Sequence, residues 1–242
     1  MDHPVIHEAR VFANTALLTR AVADESQRIA LDAVLANGRC SICLSGGTTP
    51  KSLNELWARD YMTRMPWKKI HLFWGDERYV PYDDERSNYR MARETLLSRV
   101  SVPAENIHPM PTDLADSDQA AIAYEKTLRE FFGGRPEFDL LFLGIGVEGH
   151  TASLFPDSPA LAETQRAVVA VVAPAEPPRR LTLTYPMLNR ARNIFFLAEG
   201  AKKREIISEL RRDPESAVSR YPAARIRSAG SLIWFLDQAA AW

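Results

Sequence analysis

Phe138-Asp139-Leu140-Leu141-Phe142-Leu143 is a nearly continuous apolar run of strand length, and it passes directly into Gly144-Ile145-Gly146-Val147-Glu148-Gly149-His150-Thr151-Ala152-Ser153-Leu154-Phe155-Pro156. A strand with so little alternation is buried on both faces, as in a parallel sheet covered by helices. The helical pattern before it, opened by Ser117 or Asp118 as a cap, runs through Ile122, Tyr124, Leu128 and Phe131 to a Gly133-Gly134 stop. The same alternation extends outward in both directions. A helix from about Asn14 to Ala36 ends at Gly38 and feeds a strand at Cys40–Leu44. Ser45-Gly46-Gly47-Thr48-Thr49 then turns into a helix with Pro50 at its expected first position. Ile70–Trp74 reads as a strand, Gly75–Ser87 as a polar loop and about Asn88–Arg99 as a helix. Val168–Val172, Leu181–Tyr185, Ile194–Leu197 and Leu232–Leu236 supply further strands, with a helix from about Ala201 to Arg211 between the last two. Strands alternating with helices imply an α/β fold with a mainly parallel sheet and helices on both faces. No linker or repeat divides the chain, and the proline-rich stretches Pro103–Pro111 and Ala173–Pro178 read as connections, so residues 1–242 are expected to form a single domain.

Composition narrows the function. Of 242 residues, 46% are apolar and 25% charged, which suits a sizeable core and excludes disordered, collagenous and coiled-coil classes. Lys plus Arg is 30 and Asp plus Glu is 31, a net charge of −1, so no electrostatic excess is present to hold nucleic acid or an anionic membrane. The longest apolar stretches fall short of the ~18 residues that a spanning helix needs. Met1–Arg10 has no basic start followed by an apolar run and is not read as a secretory signal, so a cytoplasmic location is expected. The C-x-x-C match at Cys40 and Cys43 lies in a strand, where positions three apart face opposite ways, so both cysteines are read as buried and inert.

In open parallel sheets ligands collect at the carboxyl ends of the strands. Four loops there carry unusual residues. Ser45, Gly46, Gly47 and Thr48 combine close backbone approach, flanking hydroxyls and the positive end of a helix, which suits a phosphate and equally suits a tight capped turn. The spacing is not that of a P-loop. Asp76-Glu77-Arg78 places three charges at a strand end, able to serve acid/base chemistry or to pair with one another at the surface. Gly144, Gly146 and Gly149 match the dinucleotide fingerprint G-x-G-x-x-G, but Pro156 and Pro159 interrupt the helix that the fingerprint should open. What that loop does offer is His150, two residues from the Glu148 carboxylate, as a general base with an orienting partner or as a structural histidine. Arg179-Arg180 and Lys202-Lys203 are cations that could close over an anion held by the first loop. No G-x-S-x-G elbow is present, and the five histidines and two cysteines supply no metal spacing, so neither a serine nucleophile nor a metal is expected.

Taken in order, Ser45–Pro50, Phe73–Pro81 with Ser87–Leu97 after it, Phe138–Pro156, Arg180–Leu197 and Gly200–Lys203 resemble the 6-phosphogluconolactonase family, from about residue 10 to the end. The resemblance implies a three-layer α/β/α sandwich with a Rossmann-like sheet. It also implies hydrolysis of 6-phospho-D-glucono-1,5-lactone in the oxidative pentose phosphate pathway, without a cofactor, on a small-molecule substrate. Gly46, Gly47 and Thr48 match the family's phosphate loop, Arg180 and Lys203 its cationic phosphate ligands, His150 its general base, and Asp76 and Arg78 polar active-site positions. The family usually has Asp where this chain has Glu148, one methylene longer. With His150 as base, Glu148 would stabilise the imidazolium and Arg78 would stand near the developing oxyanion. Three rivals are a glucosamine-6-phosphate deaminase, a non-catalytic sugar-phosphate sensor and a nicotinamide-dependent oxidoreductase. The deaminase pattern has a glutamate five residues beyond the motif histidine, where this chain has Phe155. A sensor would need a basic DNA-binding segment that the chain lacks. A monomer or small homo-oligomer is expected.

Overall fold

The computed structural model describes residues 5–134 and 136–242; the first four residues of the N-terminal segment read above lie outside the described residues. The chain runs β1 (Glu8–Phe12), α1 (Thr15–Asn37), β2 (Cys40–Leu44), α2 (Thr48–Asp60), β3 (Ile70–Trp74), β4 (Asp76–Arg78), α3 (Asn88–Ala92) and α4 (Ser117–Phe132). It continues through β5 (Leu140–Leu143), β6 (Val168–Val172), β7 (Arg179–Leu183), α5 (Tyr185–Leu188), β8 (Asn193–Ala198), α6 (Arg204–Arg212), α7 (Pro214–Arg220) and β9 (Ser231–Asp237). Six strands form one parallel sheet in the order β1-β9-β8-β5-β2-β3, flanked by helices, the α/β sandwich expected from the sequence. From β2 the chain proceeds outward to β3 on one side, then returns to build β5, β8 and β9 on the other. The strand order therefore reverses between β2 and β5, and a crevice opens at their carboxyl ends.

Every residue of β5 is buried, as its unbroken apolar sequence requires, and Phe142 packs edge-on against Trp57 of α2 and Phe195 of β8. Cys40 and Cys43 are buried free thiols in β2, and burial pushes both well above the ordinary thiol range, consistent with inert core residues. Gly75 carries the chain from one sheet to another: its N–H donates to the Leu44 carbonyl at 2.9 Å, and its carbonyl accepts from Leu183 at 2.8 Å.

The strands read at Val168–Val172 and Leu181–Tyr185 lie outside the parallel sheet. They form an antiparallel sheet in the order β4-β7-β6, with β7 displaced to Arg179–Leu183. The alternation of Arg180 and Thr182 with Leu181 and Leu183 is the period of a strand with two unlike faces, which an antiparallel sheet accommodates. β4 occupies part of the segment read as a loop, and β1 and α7 were not expected. Helix α2 starts at Thr48 rather than Pro50, since a missing N–H costs nothing anywhere in an unpaired first turn. The cap of α4 is Asp116 rather than Ser117 or Asp118, its carboxylate accepting from the amides of Asp118 and Gln119. The helix read from Asn88 to Arg99 is α3 continued by a π-turn over Arg93–Leu97.

Away from the crevice, His71 Nδ1 lies 3.2 Å from His108 Nε2, within a group of rings that includes Phe73 and Phe131. Burial, then His71, pulls His108 down to about 4; burial, then Arg39, pulls His71 below its ordinary 6.5. The unfolded chain takes up these protons at a higher pH than the native one, so the contribution to stability is fully present above about pH 6.5 and is lost as pH falls toward 4. Replacing His108 by Gln removes one of the titrating groups. The melting temperature of wild type should therefore fall relative to His108→Gln between pH 7 and pH 4.5, and a difference that does not change with pH would refute this assignment.

Candidate active site

The crevice is built from three strand ends. β2 leads into Ser45-Gly46-Gly47, and Gly47 adopts φ +106° at the N-cap of α2. A side chain at Gly46 would place its Cβ 2.1 Å from Asn88 Oδ1, so any other residue would displace the Asn88 carboxamide that packs on this loop. Helix α2 has no side-chain cap and no acidic residue in its first turn. Its leading amides and positive end are thus available to an anion. The Thr48 hydroxyl donates to Glu199 Oε1 at 2.9 Å, joining the ends of β2 and β8.

β5 leads into the loop that carries His150. Gly146 N–H donates to the His150 carbonyl at 2.9 Å, Gly149 N–H donates to the Gly146 carbonyl at 3.0 Å, and Thr151 Oγ1 donates to the Gly144 carbonyl at 2.9 Å. This closed turn is followed by no helix of the kind the dinucleotide fingerprint opens. His150 Nδ1 lies 2.9 Å from Glu148 Oε1, so the longer glutamate makes the orienting contact. With Nδ1–H donating to the carboxylate, Nε2 carries the lone pair, and among the described residues it has no hydrogen-bond partner. A Cβ at Gly146 would fall 2.0 Å from His150 Nδ1 and 2.5 Å from Glu148 Oε2. Phe155, five residues beyond His150, stacks on the imidazole with ring centroids 4.3 Å apart.

Burial pulls the His150 imidazole below its ordinary 6.5; Glu148 and then Asp76 oppose that shift, while Lys203 adds to it. The histidine is therefore the free base at neutral pH. Burial pushes the Glu148 carboxyl up, but its own backbone N–H, His150 and Lys203 outweigh this and hold it below its usual value. Burial likewise lowers Lys203, against the pull of Glu148.

The three charges after β3 divide their work. Asp76 is buried and its Oδ2 accepts from Ser153 Oγ at 2.7 Å, while the Ser153 N–H donates to Thr182 Oγ1 at 3.2 Å. Glu77 accepts from the backbone amides of Arg78, Asn88 and Tyr89 and from Ser87 Oγ, fixing α3 against β4; burial pushes its carboxyl up to about 7 against the pull of these amides. Arg78 donates through Nη1 to the Arg86 carbonyl at 2.7 Å, and its buried Nε has no partner among the described residues.

A cavity of about 230 Å³ lies between these loops. It brings together Ser45, Gly46, Gly47, Thr48, Arg78, His150 and Lys203 of the residues expected from the sequence. Glu148 and Asp76 do not line it; Glu148 meets it through His150. Arg180 does not line it: the side chain is buried beside Arg78 across the β4–β7 ladder, with Nε donating to the Pro177 carbonyl at 2.7 Å. Burial and then Arg78 pull this guanidinium below its usual range. Sequence reasoning missed Ser153, Asn88 and Glu199. Glu199 directly precedes the Gly200–Lys203 stretch, whose lysines carry its local signal, and nothing local marks a Ser or Asn as a partner of a distant carboxylate or carbonyl. A larger hollow of about 630 Å³, lined by Arg39, Phe131, Asp139 and Arg192 among others, lies at the opposite ends of the strands. Among the described residues no group of three or more His, Cys, Asp or Glu is placed to hold a metal ion, and no helix is long and apolar enough to cross a membrane.

Residues 13–234 match the family model described as glucosamine-6-phosphate isomerases/6-phosphogluconolactonase. A 6-phosphogluconolactonase of Synechocystis is 47% identical over 228 residues, covering 93% of this chain and 92% of that protein. One of Mycobacterium tuberculosis is 41% identical over 219 residues, covering 86% and 87%. The solved structure of a 6-phosphogluconolactonase from Trypanosoma brucei superposes with a TM-score of 0.82 at 29% identity, covering 96% of this chain and 97% of that one.

The crowding at Gly146 carries a direct expectation. Gly146→Ala must push the imidazole or the Glu148 carboxylate aside, so the loss should appear in turnover far more than in melting temperature. A variant with wild-type turnover would show that the His150–Glu148 geometry is not what the loop protects.

Proposed function

The chain belongs to the glucosamine-6-phosphate isomerase/6-phosphogluconolactonase family, and on that premise we propose that it hydrolyses 6-phospho-D-glucono-1,5-lactone to 6-phospho-D-gluconate, with residues 1–242 acting as one domain. The observation that carries the reading is the pairing, in one cavity, of a neutral imidazole backed by a carboxylate with an uncapped helix terminus and a lysine. His150 Nε2 takes a proton from water as its oxygen attacks C1 of the lactone. Charge moves onto the carbonyl oxygen, with Arg78 beside it, while Glu148 stabilises the imidazolium. Collapse expels the ring oxygen, which takes the proton from the imidazolium, and the new acid ionises. Asp76, held by Ser153, adds negative potential behind His150.

The phosphate is placed on Ser45, Gly46, Gly47, Thr48 and the start of α2, with Lys203 as the counter-charge. Binding at that end holds C1 against the base, so contacts remote from the reacting bond become orientation. Arg180 is assigned a supporting place behind Arg78 rather than a direct phosphate contact. Phe155 stands where a deaminase would need a proton-transferring side chain, and it packs on the base instead. In this reading the protein works in the cytoplasm on a diffusible sugar phosphate, without a metal, cofactor or nucleic-acid partner, as a monomer or small homo-oligomer.

The decisive assay generates the lactone in situ and follows its loss with wild type, with His150→Ala and without protein, since the lactone also opens spontaneously. His150→Ala should lower kcat by about 10²- to 10⁴-fold while remaining folded. Wild type indistinguishable from the blank would refute the reading. The kcat/KM of wild type should rise with pH through an ionisation below 6.5, as His150 loses its proton. Glu148→Gln removes the charge that raises this pKa, so its acidic limb should move to lower pH while kcat falls; an unmoved limb would detach Glu148 from the base. Lys203→Ala should act mainly on KM, and an unchanged KM would remove it from the phosphate site.

A further inference from the structure

Glu199 is at odds with the site around it. The start of α2 and Lys203 both favour an anion, yet Glu199 brings a carboxylate into the same cavity. It forms no salt bridge with Lys203, four residues along the chain, that would absorb its charge; its hydrogen bond is to the Thr48 hydroxyl, 151 residues away in sequence, at 2.9 Å. Thr48 is the first residue of α2, where a bound phosphate would require its donor. A threonine hydroxyl has one proton and can give it to one acceptor at a time.

We propose that Glu199 is a built-in competitor for the substrate's phosphate, occupying the Thr48 hydroxyl in the free protein and yielding it when the phosphate binds. The inference rests on the reading that the phosphate sits at the start of α2. The exchange moves no proton: the bond from Thr48 Oγ–H to the Glu199 carboxylate is replaced by one from the same hydroxyl to a phosphate oxygen. Glu199 then remains close to a dianion and repels it, so binding is weaker than helix and lysine alone would make it. The product carries the same phosphate and is repelled in the same way. Glu199 would thus favour release and limit product inhibition. In this role it is a specificity-determining residue that touches the phosphate site and takes no part in proton transfer.

The test is calorimetric titration of wild type, Glu199→Gln, Glu199→Ala, Thr48→Val and the Thr48→Val/Glu199→Gln double variant with inorganic phosphate and with 6-phosphogluconate, beside steady-state assays. Glu199→Gln and Glu199→Ala should each bind both anions about tenfold more tightly, the scale of a hydrogen bond to a charged group. Thr48→Val should bind them more weakly, and Glu199→Gln should gain less in that background than in wild type. Unchanged or weaker binding in both folded Glu199 variants overturns the proposal, as does failure of phosphate and product to bind any variant. Tighter phosphate binding in a protein without lactone hydrolysis would sustain the competitor and refute the enzymatic reading; hydrolysis with unaltered anion binding would do the reverse.

Discussion

The reversal of strand order between β2 and β5 is the constraint on which the rest depends. Because α2 and β3 are built on one side of β2 and the return through β5, β8 and β9 on the other, the chain leaves the two central strand ends in opposite directions. Backbone from three distant parts of the chain can approach there without a helix filling the space. The switch at Gly75 then brings β4 out of the parallel sheet, setting Arg78 in the cavity lining and burying Asp76.

Close approach is achieved by omission of side chains. At Gly46 the missing Cβ makes room for Asn88, which donates to the Asp76 carbonyl at 3.0 Å and so links the glycine loop after β2 to the charged loop after β3. At Gly146 the missing Cβ makes room for the His150–Glu148 pair itself. At Gly149, with φ +82°, the backbone turns in the left-handed region and a Cβ would strike the Tyr221 ring. The carbonyl of Gly149 accepts from Ala223, so the segment after α7 braces the histidine loop from outside.

The site mixes charges of both signs, and each carboxylate is tied to a different partner. Glu148 faces the imidazole, Asp76 faces the Ser153 hydroxyl, Glu77 faces backbone amides and Glu199 faces Thr48. At Glu77 burial pushes the carboxyl up, and the amides of Asn88, Tyr89 and Arg78 oppose that shift. The cations are arranged asymmetrically: Arg78 and Lys203 reach the cavity, whereas Arg180 is held back by carbonyl oxygens.

The local pattern of the chain determined much of this. An apolar run without alternation can be satisfied only between helices, so Leu140–Leu143 announced a buried parallel strand, and the glycine-rich segment after it announced a backbone held close to something. His150 with Glu148, and the glycines before α2, were legible for the same reason: their chemistry lies in residues adjacent in sequence. Tertiary structure alone decided what long-range contacts control. The antiparallel sheet β4-β7-β6 depends on Asp76 meeting Thr182 across more than a hundred residues, the retreat of Arg180 on the carbonyls that its buried guanidinium finds, and the meeting of Thr48 with Glu199 on β2 and β8 flanking β5. Hydrogen bonds between residues so far apart leave no periodicity or spacing in the chain; they exist only once the strand order has brought the loop ends together.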